Sequence, residues 1–250
     1  MSERVRSEGE VREARLAALR RRLARVGRPA SGGPAVSTGL AALDRLLAPG
    51  GLLPGELVEW RGARGSGVAR LAWHVVGRWL DRGGLLAVID AERAGFPPAW
   101  HGSPWHWREV VWIRPATLAE AWLAWEESLR SPGVAAVWGW ISELPARHYR
   151  RLQLACERGG HVGMLLRPPA ACRAPSWATV IWEVEPLPTT SPRPLGVRSW
   201  RVRLVKSRSG VSGVETEVTL SAGDLGGIDA VDRGGWETWN GKCSGREGKK

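Results

Sequence analysis

The chain has 250 residues, of which 43% are hydrophobic and 24% charged, which is enough for one α/β core with tails and too little for two large domains. No apolar run approaches the ~20 residues that span a bilayer, and charge begins at residue 3, so neither a membrane span nor a secretory signal is expected and a cytoplasmic location is predicted. The net charge of +11 favours polyanions such as nucleic acid, although an arginine bias of this kind also accompanies a GC-rich genome.

Residues 1–35 are predicted to form a region separate from the core. Apolar residues recur at helical spacing over residues 8–27 with arginines between them, which predicts one basic amphipathic helix. The following Gly/Pro-rich stretch, residues 27–36, is typical of a linker. The helix must cover its apolar stripe, and the sequence does not decide between its own core and a neighbouring subunit, a partner protein or DNA.

The next region alternates apolar strands with helices. A short helix around 40–47 comes first and is ended by Pro49 and two glycines. The alternation that follows predicts βαβ units, a parallel sheet and helices on both of its faces. Strands are predicted at 55–60, 85–89, 110–113, 134–138 and 162–166, and helices at 68–82, 117–130 and 145–158.

The last third of the chain changes its hydrophobic period. Residues 178–185, 199–206 and 214–220 alternate apolar with polar side chains, which is typical of half-exposed antiparallel strands. We therefore predict an α/β core over 36–221 with antiparallel strands at one edge of its mostly parallel sheet. Glycine and charge dominate residues 222–250, which indicates a disordered tail.

A glycine-rich turn at residues 62–67 carries the main functional signal. In a working phosphate-binding loop, G-x-x-x-x-G-K-[ST], backbone amides cradle phosphates, the lysine reaches the β- and γ-phosphates, and the hydroxyl binds Mg²⁺. The glycine spacing is kept here, but Val68 and Ala69 replace the lysine and the hydroxyl. A helix amino terminus still attracts anions, which leaves weak binding of ATP or phosphate open. The candidate phosphate-binding residues are Gly62, Arg64, Gly65, Ser66 and Gly67.

The second element of such a site is an acidic residue that ends an apolar strand and orients the metal. Residues 134–137 form an apolar strand, but Trp138 and Gly139 follow it. Two independent losses at one site predict that the protein is not an enzyme and has no catalytic residue. The three cysteines and five histidines show no ligand spacing, so no metal site and no resident cofactor are expected.

Several segments resemble a known family. Residues 37–40 (STGL) and 54–57 (PGEL) resemble the entry segment of RecA-like proteins, and residues 89–92 (IDAE) resemble the strand end that carries the water-activating glutamate, here Glu92. Residues 149–155 (YRRLQLA), 164–168 (MLLRP) and 200–204 (WRVRL) are more specifically similar to the ImuA family. The resemblance covers about residues 36–210 and implies a RecA-like core whose nucleotide site is degenerate.

The resemblance also implies a role. ImuA-like proteins act in the bacterial SOS response to DNA damage, in mutagenic translesion synthesis. The implied partners are an ImuB-like inactive relative of the Y-family polymerases and an error-prone replicative-type polymerase, with RecA and single-stranded DNA as further candidates and a nucleoid-associated location. Two classes of function stay open, a non-hydrolysing accessory protein and a nucleotide-dependent recombination or repair ATPase. Val68, Ala69 and Trp138 favour the first.

The helix at 145–158 supplies the candidate contact surface. Arg147, Arg150 and Arg151 are three and four residues apart, so they are predicted to share one face, while Leu152 and neighbouring small residues turn towards the sheet. This face is the first choice for a DNA or partner contact. The alternative is an ordinary solvated helix face.

Overall fold

The computed structural model describes residues 33–93, 109–170, 175–188, 197–208 and 212–221. The basic helix predicted at 8–27, the tail predicted from 222 onward, Cys172 and Cys243 lie outside the described residues. Those predictions therefore stay predictions.

The described residues form eight strands and four helices that follow the predicted alternation closely. Most predicted boundaries differ from the observed ones by only one or two residues. In chain order the elements are α1 Ala41–Asp44, β1 Leu57–Arg61, α2 Val68–Leu80, β2 Leu85–Ile89, β3 Val110–Ile113, α3 Leu118–Arg130, β4 Val134–Trp140, α4 Ala146–Gly159, β5 Val162–Arg167, β6 Val180–Pro186, β7 Arg198–Lys206 and β8 Val214–Leu220.

All eight strands belong to one sheet, in the order β3-β2-β4-β5-β1-β6-β7-β8. The predicted mostly parallel sheet with antiparallel strands at one edge is confirmed. The antiparallel pairing predicted for residues 178–185 is wrong on one side of the strand. This strand, β6, pairs in parallel with β1, and only its other edge pairs antiparallel with β7. The first half of β6 is buried on both faces of the sheet. Its alternating pattern therefore does not mark one face that is open to water.

The helix ends follow local rules. The amide of Glu120 donates to the side chain of Thr117, and the carboxylate of Glu120 accepts from the amide of Ala116, so α3 begins with reciprocal caps. Gly160 ends α4 in the left-handed conformation, with φ of 70°. These ends fix the lengths of the two helices that cover one face of the sheet.

Two hydrophobic clusters fill the two faces of the sheet. The cluster on the α2 side includes Trp60, Val68 and Trp200, and the cluster on the α3 and α4 side includes Trp125 and Tyr149. Such burial on both faces explains why β2 is apolar along its whole length and β5 is apolar up to Arg167.

A buried carboxylate interrupts the second cluster. Glu59 of β1 accepts hydrogen bonds from Tyr149 and Ser176, and its carboxylate lies 3.0 Å from Nε of Arg61 and 3.8 Å from Nη1 of Arg167. Burial alone would raise the pKa of Glu59, but these hydrogen bonds and the two arginine charges bring it below its ordinary value. Burial and the neighbouring carboxylate raise the pKa of Tyr149. The network is therefore a buried ionic cluster in which the carboxylate of Glu59 is held by hydrogen bonds and by two arginine charges.

Candidate functional site

The phosphate loop, residues 62–67, lies between the carboxyl end of β1 and the first residue of α2. Gly65 and Gly67 have φ of 79° and 90°, and Gly67 is the residue that caps α2. Such left-handed backbone favours glycine, which explains why positions 65 and 67 hold glycine. The predicted turn is therefore present with the backbone shape of a strand-to-helix loop.

A tryptophan from the far edge of the sheet lies against this loop. Nε1 of Trp200, on β7, donates to the carbonyl oxygen of Ser66 at 2.7 Å. A Cβ added at Gly67 would lie 2.4 Å from Trp200 Nε1, so the indole fills the space beside that glycine. Sequence reasoning missed this contact, because the two residues are 134 positions apart and no local pattern joins them.

The first residue after the loop belongs to the core. Val68 is 1% exposed and packs in the cluster on the α2 side, where Ala69 also contacts it. A hypothetical Cβ on Gly62 would lie 2.9 Å from Val68 Cβ, so little room remains beneath the loop. The side chain at position 68 thus stabilises the junction of β1 and α2.

The tip of the loop contacts the ends of two other strands. Arg64 pairs with Glu92, which follows β2, and its guanidinium lies 4.5 Å from the ring centroid of Trp140 at the end of β4. The second carboxylate oxygen of Glu92 accepts from Ser142 Oγ at 2.8 Å. Arg64 and Glu92, both predicted as candidate site residues, are therefore brought together, and each is engaged by the protein's own side chains.

The expected place of the metal-orienting aspartate is also used for packing. Trp138 is buried in β4 and meets Trp73 of α2 edge to face, with ring centroids 5.3 Å apart. Gly139 follows, and a Cβ there would lie 2.3 Å from the carbonyl oxygen of Ile89. An aspartate could replace neither residue without loss of packing or a clash.

The arginines of α4 diverge instead of forming one patch. Arg151 is 54% exposed and pairs with Glu126 of α3 at 2.8 Å. Arg150 turns the other way, donates to Gln153 and lies over the ring of Trp177, 4.9 Å from its centroid. Arg147 donates to the neighbouring His148 at 3.2 Å. Leu152, Ala155 and Cys156 are buried, as the helical spacing predicts.

The first-turn amides of α2 are the groups at this loop to which the predicted weak binding of an anion would fall. Across the described ranges, no group of three or more His, Cys, Asp or Glu side chains could hold a metal ion. The same ranges contain no helix long and apolar enough to cross a bilayer.

Comparison with known proteins identifies the relatives of this chain. No family model matches it. The protein ImuA of Caulobacter vibrioides is 31% identical over 201 residues, which cover 72% of this chain and 81% of that protein. The RecA protein of Wolbachia sp. subsp. Brugia malayi is 49% identical over 59 residues, or 24% of this chain and 17% of that RecA. RecA of Chlorobium chlorochromatii is 44% identical over 66 residues, or 26% of this chain and 18% of that RecA. The RecA matches are short, whereas the ImuA match covers 72% of this chain, so this chain, with its RecA-like α/β core, belongs to the ImuA family.

Proposed function

We propose that this protein is a non-hydrolysing RecA-like accessory protein in the DNA damage response, with a role in SOS-linked translesion synthesis. It acts by binding other proteins and DNA and needs no cofactor, while weak binding of ATP or phosphate persists at the loop. The partners we propose are an ImuB-like inactive Y-family polymerase relative and an error-prone replicative-type polymerase, with RecA as a further candidate.

One observation carries the proposal. The three positions that handle Mg²⁺ and phosphate in a working site hold Val68, Ala69 and Trp138, and all three pack against the hydrophobic core. A side chain that stabilises the core cannot also reach a phosphate or a metal. This packing supports the proposal that the protein does not hydrolyse nucleotide.

A second candidate function rests on Glu92. This residue occupies the place of the water-activating glutamate in the RecA-like resemblance, and the glycine spacing of the loop is intact. Both oxygens of Glu92 are held by Arg64 and Ser142, which supports a structural role. A nucleotide-dependent recombination or repair ATPase is the alternative that follows if Glu92 proves reactive.

The test is ATP turnover by the purified full chain, with and without single-stranded DNA. We expect no turnover above that of a heat-inactivated sample, whereas typical enzymes begin near ~1 s⁻¹. Glu92→Gln is the matched variant, because it keeps the shape of the side chain and removes its basicity. Turnover in the parent that disappears in Glu92→Gln would establish the ATPase and reject the accessory role. The binding role is tested by gel filtration of the full chain with the purified polymerase relative. We expect the two proteins to co-elute, and we expect co-elution to be lost when the binding segment of the polymerase relative is removed.

A further inference from the structure

A groove opens at the end of the sheet opposite the phosphate loop. It lies between α4, the chain that leads into β6 and the chain that leaves β7, and has a volume of about 350 Å³. Val180 at the start of β6 is level with Val58 near the amino end of β1, whereas the loop follows the carboxyl end of β1. The groove is therefore separate from the degenerate loop, and its lining includes Arg150, Gln153, Trp177, Thr179, Lys206 and Arg208.

Three cations converge on this groove from three different segments. Within the described part of the chain, Arg150 and Lys206 form no ion pair with a carboxylate; their hydrogen bonds go to Gln153 and to the carbonyl oxygen of Ser176. Arg208 is paired with two carboxylates, at 3.8 Å from Glu56 and 3.7 Å from Glu157. The positive charge that this concave site offers to an anionic ligand therefore comes from Arg150 and Lys206.

An exposed indole lies among these cations. Trp177 is 42% exposed and is one of three large hydrophobic side chains exposed to this degree within the described ranges. The guanidinium of Arg150 lies over its ring, which holds the indole at the mouth of the groove. Proteins bind single-stranded nucleic acid with aromatic side chains, on which the bases stack, and with cations, which neutralise the phosphates. An exposed indole beside two cations supplies both.

We propose that this groove binds single-stranded nucleic acid, with a base stacked on Trp177 and phosphates beside Arg150 and Lys206. This assignment deepens the accessory role proposed above and rests on it for its biological setting. Of the arginines predicted on α4, this site keeps Arg150 and leaves out Arg151, whose charge is neutralised by Glu126. It adds Trp177 and Lys206, which lie outside α4 and could not be found from the spacing of residues along that helix. An acidic peptide would use the cations but would gain little from the flat, exposed indole.

The test is binding of a fluorescently labelled oligothymidine of 20 nucleotides to the full chain, followed by anisotropy at several salt concentrations. Trp177→Ala should weaken binding about tenfold, in line with the loss of one stacked base. Arg150→Ala and Lys206→Ala should each weaken it several-fold and flatten the salt dependence by about 0.7 for each phosphate that is no longer neutralised. Trp177→Phe should keep most of the affinity, because an aromatic surface remains.

Arg82→Ala is the matched control. Arg82 is also exposed and also lies near an indole, 5.7 Å from the Trp79 ring, but at the end of α2. We expect this variant to bind within twofold of the parent. Lys206 ends a strand and is exposed, so Lys206→Ala keeps the test valid even if a tryptophan variant melts early by circular dichroism.

Three results would overturn the assignment. The parent could fail to bind the oligonucleotide, Arg82→Ala could weaken binding as much as Lys206→Ala, or polyglutamate of equal charge could compete as well as unlabelled oligothymidine. The ATP turnover assay gives an independent answer. If the protein hydrolyses ATP and the groove variants bind more weakly, only the accessory role is rejected. If it does not hydrolyse ATP and the groove variants bind like the parent, only the groove assignment is rejected.

Discussion

The two ends of β1 have opposite characters. At the carboxyl end, the phosphate loop is closed by the protein's own side chains, with Trp200 beside Gly67 and Arg64 held by Glu92. At the amino end, the groove leaves Arg150 and Lys206 without a carboxylate among the described residues and keeps Trp177 exposed. At the usual ligand-binding edge of this α/β sheet the side chains therefore contact one another, whereas at the other edge two cations have no carboxylate partner among the described residues.

The largest expected effect is the difference in stability loss between alanine substitution of Trp200, beside the loop, and of Trp177, in the groove. Trp200→Ala removes a buried indole and its hydrogen bond to Ser66, which should lower the free energy of unfolding by about 3–5 kcal/mol. Trp177→Ala, in the open groove, should cost less than about 1 kcal/mol. Urea denaturation of the parent and both variants measures the contrast. Equal losses at the two positions would mean that the groove is as tightly packed as the loop.

A second prediction concerns the buried carboxylate between the two ends. Glu59→Gln should lower the free energy of unfolding by about 3 kcal/mol near pH 7, because it leaves the buried Arg167 without its carboxylate, whereas Arg61 keeps its ion pair with Glu183. The folded-state pKa of Glu59 lies below the unfolded value of 4.5, so its contribution is present above pH 4.5 and is lost as pH falls through the folded pKa. The variant should therefore lose less stability on acidification than the parent.

Glu56, at the amino end of β1, serves as the control with the opposite sign. Burial raises the pKa of Glu56, which the amide of Leu53 and the charge of Arg208 offset only in part. Its contribution is fully present below the unfolded value of 4.5 and is lost as pH rises through the folded pKa. Glu56→Gln should thus steepen the decline in stability from pH 7 to pH 3. Thermal melts across that interval measure both slopes: a flatter decline in Glu56→Gln would contradict the raised pKa of Glu56, and a steeper decline in Glu59→Gln would contradict the lowered pKa of Glu59.

The smallest expected effect is at the tip of the loop. The side chains of Arg64 and Glu92 are 41% and 36% exposed, so water and salt screen their pair. Arg64→Ala should lower the free energy of unfolding by less than about 1 kcal/mol, and the difference should shrink at high salt. A double-mutant cycle with Glu92→Gln measures the coupling. A coupling that survives molar salt would show that the pair closes the loop more firmly than its exposure indicates.

The sequence was sufficient for local structure. Strong hydrophobic periods and glycine stops predicted α2, α3 and α4 to within two residues at each end, since these signals act between near neighbours. The glycine turn and its missing lysine were equally visible. The parallel pairing of β6 with β1 could not be predicted. Its alternation of apolar and polar residues is the same as that of a strand with antiparallel neighbours on both sides.

The details of the site depended on contacts between distant residues. Trp200 reaches Ser66 across 134 positions, and helical spacing alone placed Arg150 and Arg151 on one face although their guanidinium groups turn to different neighbours. A long, flexible arginine can select among several partners within its reach. Sequence spacing therefore predicts which side of a helix it leaves, but not which group it meets.

The contact between Trp200 and Gly67 also limits which substitutions the chain can accept beside the loop. A Cβ at position 67 would lie 2.4 Å from the indole nitrogen, so any residue larger than glycine would displace Trp200 from the hydrophobic core. Lysine at position 68 or aspartate at position 138 would place a charged group where Val68 and Trp138 are buried, which we expect to lower the free energy of unfolding. A substitution that introduces one phosphate-binding or metal-binding side chain alone is therefore expected to cost stability before the others are present.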